Sequence, residues 1–332
     1  MKPEPVVAIT GASAGVGRAT ALAFAEQGAQ IGLIARDRDA LETVRAEVER
    51  IGGRAIVLPA DVADPEAVFD AADRIERELG PLDVWVNSAM ATVFGMSWDI
   101  TPEELRRVTE VTYLGGAHGV LAALRHMRPR NRGAILQVGS ALAYRSIPAQ
   151  AAYCAAKAAI RGYVDSVRVE LMQEGSGITV TSVHLPAVNT PQFDWARCHL
   201  PNQPRPVAPV FQPEDIARDI VAAAEHPRRE YWIGNMTRVA ILGTFAAPGI
   251  ADRYLAASGI QGQQTGEPLR AGRRDNLFET VPGLHRMRGR FSEETKPGPA
   301  SMAEGMVRGA LALAGLAVLG VGASMLIARE RD

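Results

Sequence analysis

Cysteine is almost missing: Cys154 and Cys198 are the two in 332 residues, too few for a disulfide framework or a thiolate zinc cluster, and compatible with a reducing compartment. Neither sign of charge dominates, since 36 basic and 37 acidic residues leave a net charge of -1. The chain therefore has no global attraction to phosphate backbones, and nucleic acid is not an expected partner. The six histidines, at 118, 126, 184, 199, 226 and 285, show no metal-ligand spacing, so no metal is expected. The opening MKPEPVVAIT is too short in apolar residues for a signal peptide, which places the folded body in the cytoplasm. Lysine is the scarcest charged residue: Lys2, Lys157 and Lys296 stand against 33 arginines. A lysine inside the folded body therefore asks for a reason.

What is present is an ordinary globular composition, 47% hydrophobic and 22% charged. Short apolar runs (6–10, 31–35, 55–60, 82–87, 134–139, 178–185) alternate with helix-length segments (16–28, 39–51, 65–79, 102–128, 151–174). This alternation predicts an α/β fold with a doubly wound parallel sheet, covered on both faces. Seven prolines between 186 and 213 read as a long loop or lid, in which Phe193, Trp195 and Phe211 either line an apolar pocket or pin the loop. A helix at 213–225 and a strand at 230–233 close the sheet, and 239–250, interrupted by Pro248, suits a core or interfacial helix. The expected division is a Rossmann-type body over 1–258, a Gly/Pro/Arg-rich linker over 259–305 and a transmembrane helix over 306–328.

The first strand runs into Thr10-Gly11-Ala12-Ser13-Ala14-Gly15-Val16-Gly17 and then a helical pattern, the context of a phosphate-binding turn. Gly11 permits the tight turn, Gly15 lets the backbone approach a pyrophosphate, and Gly17 lets helix and strand pack closely. The helix N-terminus offers free N–H groups and the positive dipole end. Where an NAD-binding chain places an acid at the end of the second strand, this one has Ala35-Arg36. Arg36 suits a 2′-phosphate, with Arg18 or Ser13 assisting, so NADP(H) is favoured; Asp37 keeps NAD(H) open, and a solvated Arg36 is the plain alternative.

Tyr153 and Lys157 are one helical turn apart on a single face. With so few tyrosines and lysines, such a pair is expected by chance only roughly 0.05 times per chain. A phenol is a poor acid or base at neutral pH until a cation stabilises its phenolate, which Lys157 would supply. Ser140, at the carboxyl end of an apolar strand, either orients a substrate oxygen or caps its loop.

Over roughly residues 5–235 the chain resembles the short-chain dehydrogenase/reductase family. The glycine turn matches its cofactor motif, and Asp61-Val62 falls where that family contacts adenine. Ser140, Tyr153 and Lys157 fall on its catalytic residues, Lys157 also on its nicotinamide ribose contact, and Thr190 on its nicotinamide contact. Asn87 and Ala89 stand in its NNAG stretch, where Met90 replaces the glycine; Thr112 stands at the asparagine of its proton relay, and Ala187 at the glycine of PG-x-x-T. The resemblance implies hydride transfer between a nicotinamide and a carbonyl or secondary alcohol, in a homo-oligomer. The substrate class suggested by the apolar loop and the tail is a lipid-, steroid- or acyl-like ketone. Thr112 and Met90 motivate the alternative, a membrane-tethered nucleotide-binding scaffold with little turnover.

Residues 309–328 carry no charge and, as a helix, would be about 30 Å long. Six arginines between 270 and 290 against Asp275 and Glu279 would sit on the cytosolic side. The expectation is a single-pass C-terminal anchor, with a helix buried in an oligomer as its alternative.

Overall fold

The structure is a computed structural model that describes residues 4–309. Eight strands make one sheet: β1 (Val6–Thr10), β2 (Gln30–Ala35), β3 (Arg54–Pro59), β4 (Leu82–Asn87), β5 (Gly133–Ser140), β6 (Ile178–Leu185), β7 (Glu230–Ile233) and β8 (Ser301–Ala303). Their order in space is β8-β7-β6-β5-β4-β1-β2-β3. All neighbours are parallel except β8, which runs antiparallel along β7. The strand order reverses between β1 and β4, so the crevice beyond their carboxyl ends is where an open α/β sheet takes its ligand.

Helices α1 (Gly15–Ala25), α2 (Arg38–Arg50), α3 (Pro65–Glu78), α4 (Pro102–Thr109), α5 (Gly115–Met127), α6 (Ala151–Gln173) and α7 (Pro213–Glu225) cover the sheet. Two buried apolar clusters hold the layers together. One joins the sheet to α3, α5 and α6 through Val68, Ile75, Val120, Ile160 and Val164; the other joins it to α1, α2 and α7 through Phe24, Leu41, Val44, Ile216 and Ile220. Helix starts follow local chemistry: Asp37 accepts from the N–H of Ala40, and Asp64 caps α3 just before Pro65.

Three expectations change. The single helix expected over 102–128 is broken by a π turn at Glu110–Leu114, because the Thr112 hydroxyl is held by the Ala91 backbone, donating to its carbonyl and accepting from its N–H, both at 2.9 Å. The apolar stretch around 239–250 becomes two helices, α8 (Asn235–Ala246) and α9 (Pro248–Ser258). They are core only at Thr237 and Ile241 of α8, which are buried; Phe245, Ile250 and Tyr254 are 67%, 71% and 69% exposed.

The third correction concerns 259–305, which does not hang as a linker. Gln264–Pro268 pairs antiparallel with Asn202–Pro204, Leu277, Val281 and Phe291 are buried, and 301–303 is the sheet's edge strand β8. Arginine forks anchor this segment: Arg273 donates to the carbonyls of Phe193 and Ala196, Arg286 pairs with Asp194, and Arg288 pairs with Glu214. Arginines assigned from sequence to a membrane surface are thus tied to the body. Among the described residues no helix is long and apolar enough to cross a membrane; of the expected 306–328 span, residues 310–328 lie outside them, and Val307 packs beside Trp232 and Ile241.

Candidate active site

The glycine turn is built by close backbone packing. Gly11 has φ +70° and its absent Cβ would lie 2.8 Å from the Ala89 Cα; a Cβ on Gly17 would lie 2.2 Å from the Gly11 carbonyl. Thr10, at the end of β1, accepts the N–H groups of Ser88 and Ala89 at 3.0 and 3.2 Å, tying the turn to the loop after β4. No side chain caps α1, which leaves its N-terminus to backbone donors. Gly15 (φ +53°) faces Thr190, whose methyl would be 3.0 Å from a Cβ there.

From this turn a cavity of about 780 Å³ runs across the carboxyl ends of the strands. Gly11, Ser13, Gly15, Val16, Gly17, Arg36, Asp61, Val62 and Ala89 line one part, and Ser140, Tyr153, Lys157 and Thr190 the other. Thr10, Asn87 and Thr112 are not on its wall. Asn87 is buried beneath it, accepting from the Trp85 indole at 2.8 Å and donating to the Gly116 carbonyl at 3.0 Å. Met90 and Ala187 both reach the cavity. Of the loop aromatics, Phe193 and Trp195 line it, while Phe211 belongs to the core on the α7 face.

Tyr153 lies in the first turn of α6 and Lys157 one turn on, with Lys157 Nζ 5.7 Å from the phenol ring centroid. The ammonium donates to the Val138 carbonyl at 2.8 Å. Burial pulls Lys157 down to about 8, while burial pushes the Tyr153 phenol up and the Ser140 hydroxyl works against that rise. Ser140 Oγ accepts from Leu142 N–H at 3.1 Å, so the serine also caps its turn. Behind it, the Ser140 carbonyl faces His184 Nδ1 at 3.2 Å, and His184 Nε2 lies 3.4 Å from Glu230. Burial raises the Glu230 carboxyl, but hydrogen bonds from His184, Tyr144 and Trp232 outweigh it and hold the group at about 2. The turn that carries Ser140 is thereby fixed from β6 and β7.

Sequence reasoning missed the contribution of the C-terminal segment. Asn276, Thr280, Val281 and His285 line the cavity, and the Arg36 guanidinium donates to the carbonyls of Asn276, Leu277 and Phe278, the last at 2.9 Å. Arg107 pairs with Asp61 and donates to the Leu277 carbonyl at 3.0 Å. The available signal was the apolar set Leu277, Phe278 and Val281 inside a polar, arginine-rich stretch.

The profile of the short chain dehydrogenase family matches residues 5–197. The chain belongs to this family. Among its relatives, the short-chain dehydrogenase shares 33% identity over 285 residues with the uncharacterized oxidoreductase YxnA of Bacillus subtilis (strain 168), covering 85% of this chain and 80% of that one. It is 38% identical over 173 residues to a short chain dehydrogenase of Pseudocercospora fijiensis (strain CIRAD86), covering 51% and 55% of the two chains. Among solved structures, an alcohol dehydrogenase from the archaeon Thermococcus sibiricus, complexed with 5-hydroxy-NADP, superposes with a TM-score of 0.59 at 26% identity, covering 68% of this chain and 92% of that one. The short-chain dehydrogenase is thus an oxidoreductase with a Rossmann-like α/β body and a nicotinamide cofactor.

Proposed function

We propose that this oxidoreductase uses NADP(H) to interconvert a carbonyl and a secondary alcohol on an apolar substrate of lipid-, steroid- or acyl-like ketone type. The observation that carries the reading is the convergence of Ser140, Tyr153 and the buried Lys157 on a cavity that also holds the glycine turn. The side chains Phe193, Trp195, Val239, Ile250 and Leu255 on the same cavity support an apolar substrate. The archaeal alcohol dehydrogenase holds an NADP derivative, which supports the cofactor class.

The residues present fit a dinucleotide. Val16 and Gly17 would bring backbone amides at the start of α1 to its phosphates, and Gly15 would join them on exchanging its bond to the Arg286 carbonyl, with Thr10 holding the turn and Ser13 beside it. Arg36, whose NH groups are held by the carbonyls of Asn276, Leu277 and Phe278, would exchange some of these bonds for the 2′-phosphate; Asp61 and Val62 would flank the adenine, and Ala89, Thr190 and Lys157 would serve the nicotinamide half, with Asn87 supporting the loop from below. The bound nicotinamide supplies or removes the electron pair as a hydride at the carbonyl carbon. In the reducing direction Ser140 holds the carbonyl oxygen, Tyr153 gives it a proton, and the Lys157 ammonium stabilises the phenolate left behind. Thr112 spends its hydroxyl on the Ala91 backbone and lies off the cavity wall, so it anchors the π turn and does not take the relay part of the family's asparagine.

Purified protein given a panel of ketones of rising size and apolarity should consume NADPH faster than NADH. Arg36→Ala should weaken NADPH by about tenfold or more, as expected for a lost charge-assisted bond, while leaving NADH within about threefold by the same reasoning. Equal losses in a binding titration would remove the NADP(H) assignment. The uncharged stretch 309–328 is proposed as a membrane anchor on length and apolarity alone. Full-length chain should then stay with membranes through an alkaline wash and leave only in detergent; release by the wash rejects the anchor.

A further inference from the structure

Arg36 and Asp37 are adjacent and give opposite instructions, because a guanidinium attracts a 2′-phosphate and a carboxylate repels it. The tail changes this balance. His285 Nε2 lies 3.3 Å from Asp37 Oδ2, and the His285 ring packs on Trp195 with centroids 4.9 Å apart. The Arg18 guanidinium donates to the His285 carbonyl at 2.9 Å, and the Gly15 N–H donates to the Arg286 carbonyl at 3.0 Å, so the ring is held beside the glycine turn. It lines the same cavity as Arg36, Asp37 and the turn, it is mostly buried, and among the described residues neither ring nitrogen makes a hydrogen bond, Nε2 standing only at ion-pair distance from Asp37. A buried imidazole whose nitrogens lack hydrogen bonds is costly unless something arrives to bond it.

We propose that His285, carried by the C-terminal segment, neutralises Asp37 and serves with Arg36 as a ligand for the 2′-phosphate of the cofactor, making the tail a determinant of cofactor choice. The inference deepens the NADP(H) reading and rests on it. The charged groups facing the ring are Arg36 and Asp37 from the β2–α2 turn and Arg18 from α1, the last paired with Glu47 at 2.7 Å. Burial pulls the imidazole below its usual range, Asp37 pulls it up, and Arg36 and Arg18 pull it down. A phosphate dianion reaching the ring adds to the effect of Asp37, so binding takes up a proton.

The test is calorimetric titration with 2′,5′-ADP and with 5′-AMP, probes that share the adenosine 5′-phosphate and differ in the 2′-phosphate. Wild type should bind 2′,5′-ADP more tightly, and more so as the pH falls from about 8 to about 6.5, where imidazole gains its proton. His285→Ala should cost 2′,5′-ADP about tenfold, the size of one charge-assisted bond, and leave 5′-AMP within about twofold on the same scale. Asp37→Asn keeps an N-cap side chain for α2, and in the His285→Ala background it should restore a large part of that loss. If wild type does not distinguish the two probes, the NADP(H) reading fails and this proposal with it. If wild type and Arg36→Ala behave as expected while His285→Ala matches wild type, or weakens both probes equally, the His285 assignment alone is overturned.

Discussion

Tyr153→Phe is expected to keep dinucleotide binding and to lose turnover by roughly 10² to 10⁴, the range for a positioned general acid or base. The ring lies in the first turn of α6, and its substitution removes one oxygen without changing the apolar packing around Ala152 and Ala156, both buried. Burial raises the phenol's pKa, with the Ser140 hydroxyl opposing. In the free protein the group is therefore a held proton, and donation to a substrate oxygen needs the charge of Lys157 close by. Single-turnover kinetics with a ketone found in the substrate panel, alongside a fluorescence titration of NADPH, separates the two quantities. A phenylalanine variant with a near-normal rate would reject Tyr153 as the proton donor, and a variant that no longer bound cofactor would place the residue in binding instead.

The sheet was legible because its central strands are buried on both faces, which forces continuous apolar runs. The limits read for 82–87, 178–185 and 230–233 coincide with β4, β6 and β7, and helix 213–225 coincides with α7. The glycine turn and the Tyr153–Lys157 pair were legible because their chemistry is local, with spacings fixed by one turn or one helix. What local pattern does not encode is partnership at a distance. Periodicity carries smoothly through 102–128, yet the chain there opens into a π turn because Thr112 bonds to Ala91, twenty-one residues earlier. The segment 259–305 has the Gly, Pro and Arg content of a tether. Its order comes from guanidinium-to-carbonyl and guanidinium-to-carboxylate bonds that span up to 267 residues, as between Arg18 and the His285 carbonyl. Neither propensity nor hydropathy registers such bonds, which is why Arg36 reads from sequence as a 2′-phosphate ligand or a solvated side chain, and His285 as one of six histidines without metal-ligand spacing.

Lys157→Met is expected to abolish most activity while leaving the fold as stable as before or more so. Burial lowers the lysine from its ordinary 10.5 to about 8, so at pH 7 the folded chain carries an ammonium it disfavours. The difference corresponds to roughly 3 kcal/mol by linkage. A methionine of similar length removes that cost, but it takes the ammonium from the buried Val138 carbonyl, which keeps the longer bond from the Gln137 amide at 3.4 Å, a loss of about 1–3 kcal/mol; the two nearly cancel. Because the folded pKa lies below the unfolded one, wild-type stability should rise between about pH 8 and 10.5 as the unfolded chain holds the extra proton. That rise should be smaller in the variant, and urea melts at pH 7 and pH 10 read both. Activity should move the other way: removing a cation near a phenolate raises the phenol by about 1–3 pKa units, hence a loss of roughly 10 to 10³ in rate, in addition to weaker cofactor binding. In wild type the same ammonium must be present for turnover, so the reduction rate should fall above about pH 8. A variant that loses stability and activity in proportion would make Lys157 a structural residue; one that loses activity alone would mean the protein tolerates a destabilising buried charge for the sake of its chemistry.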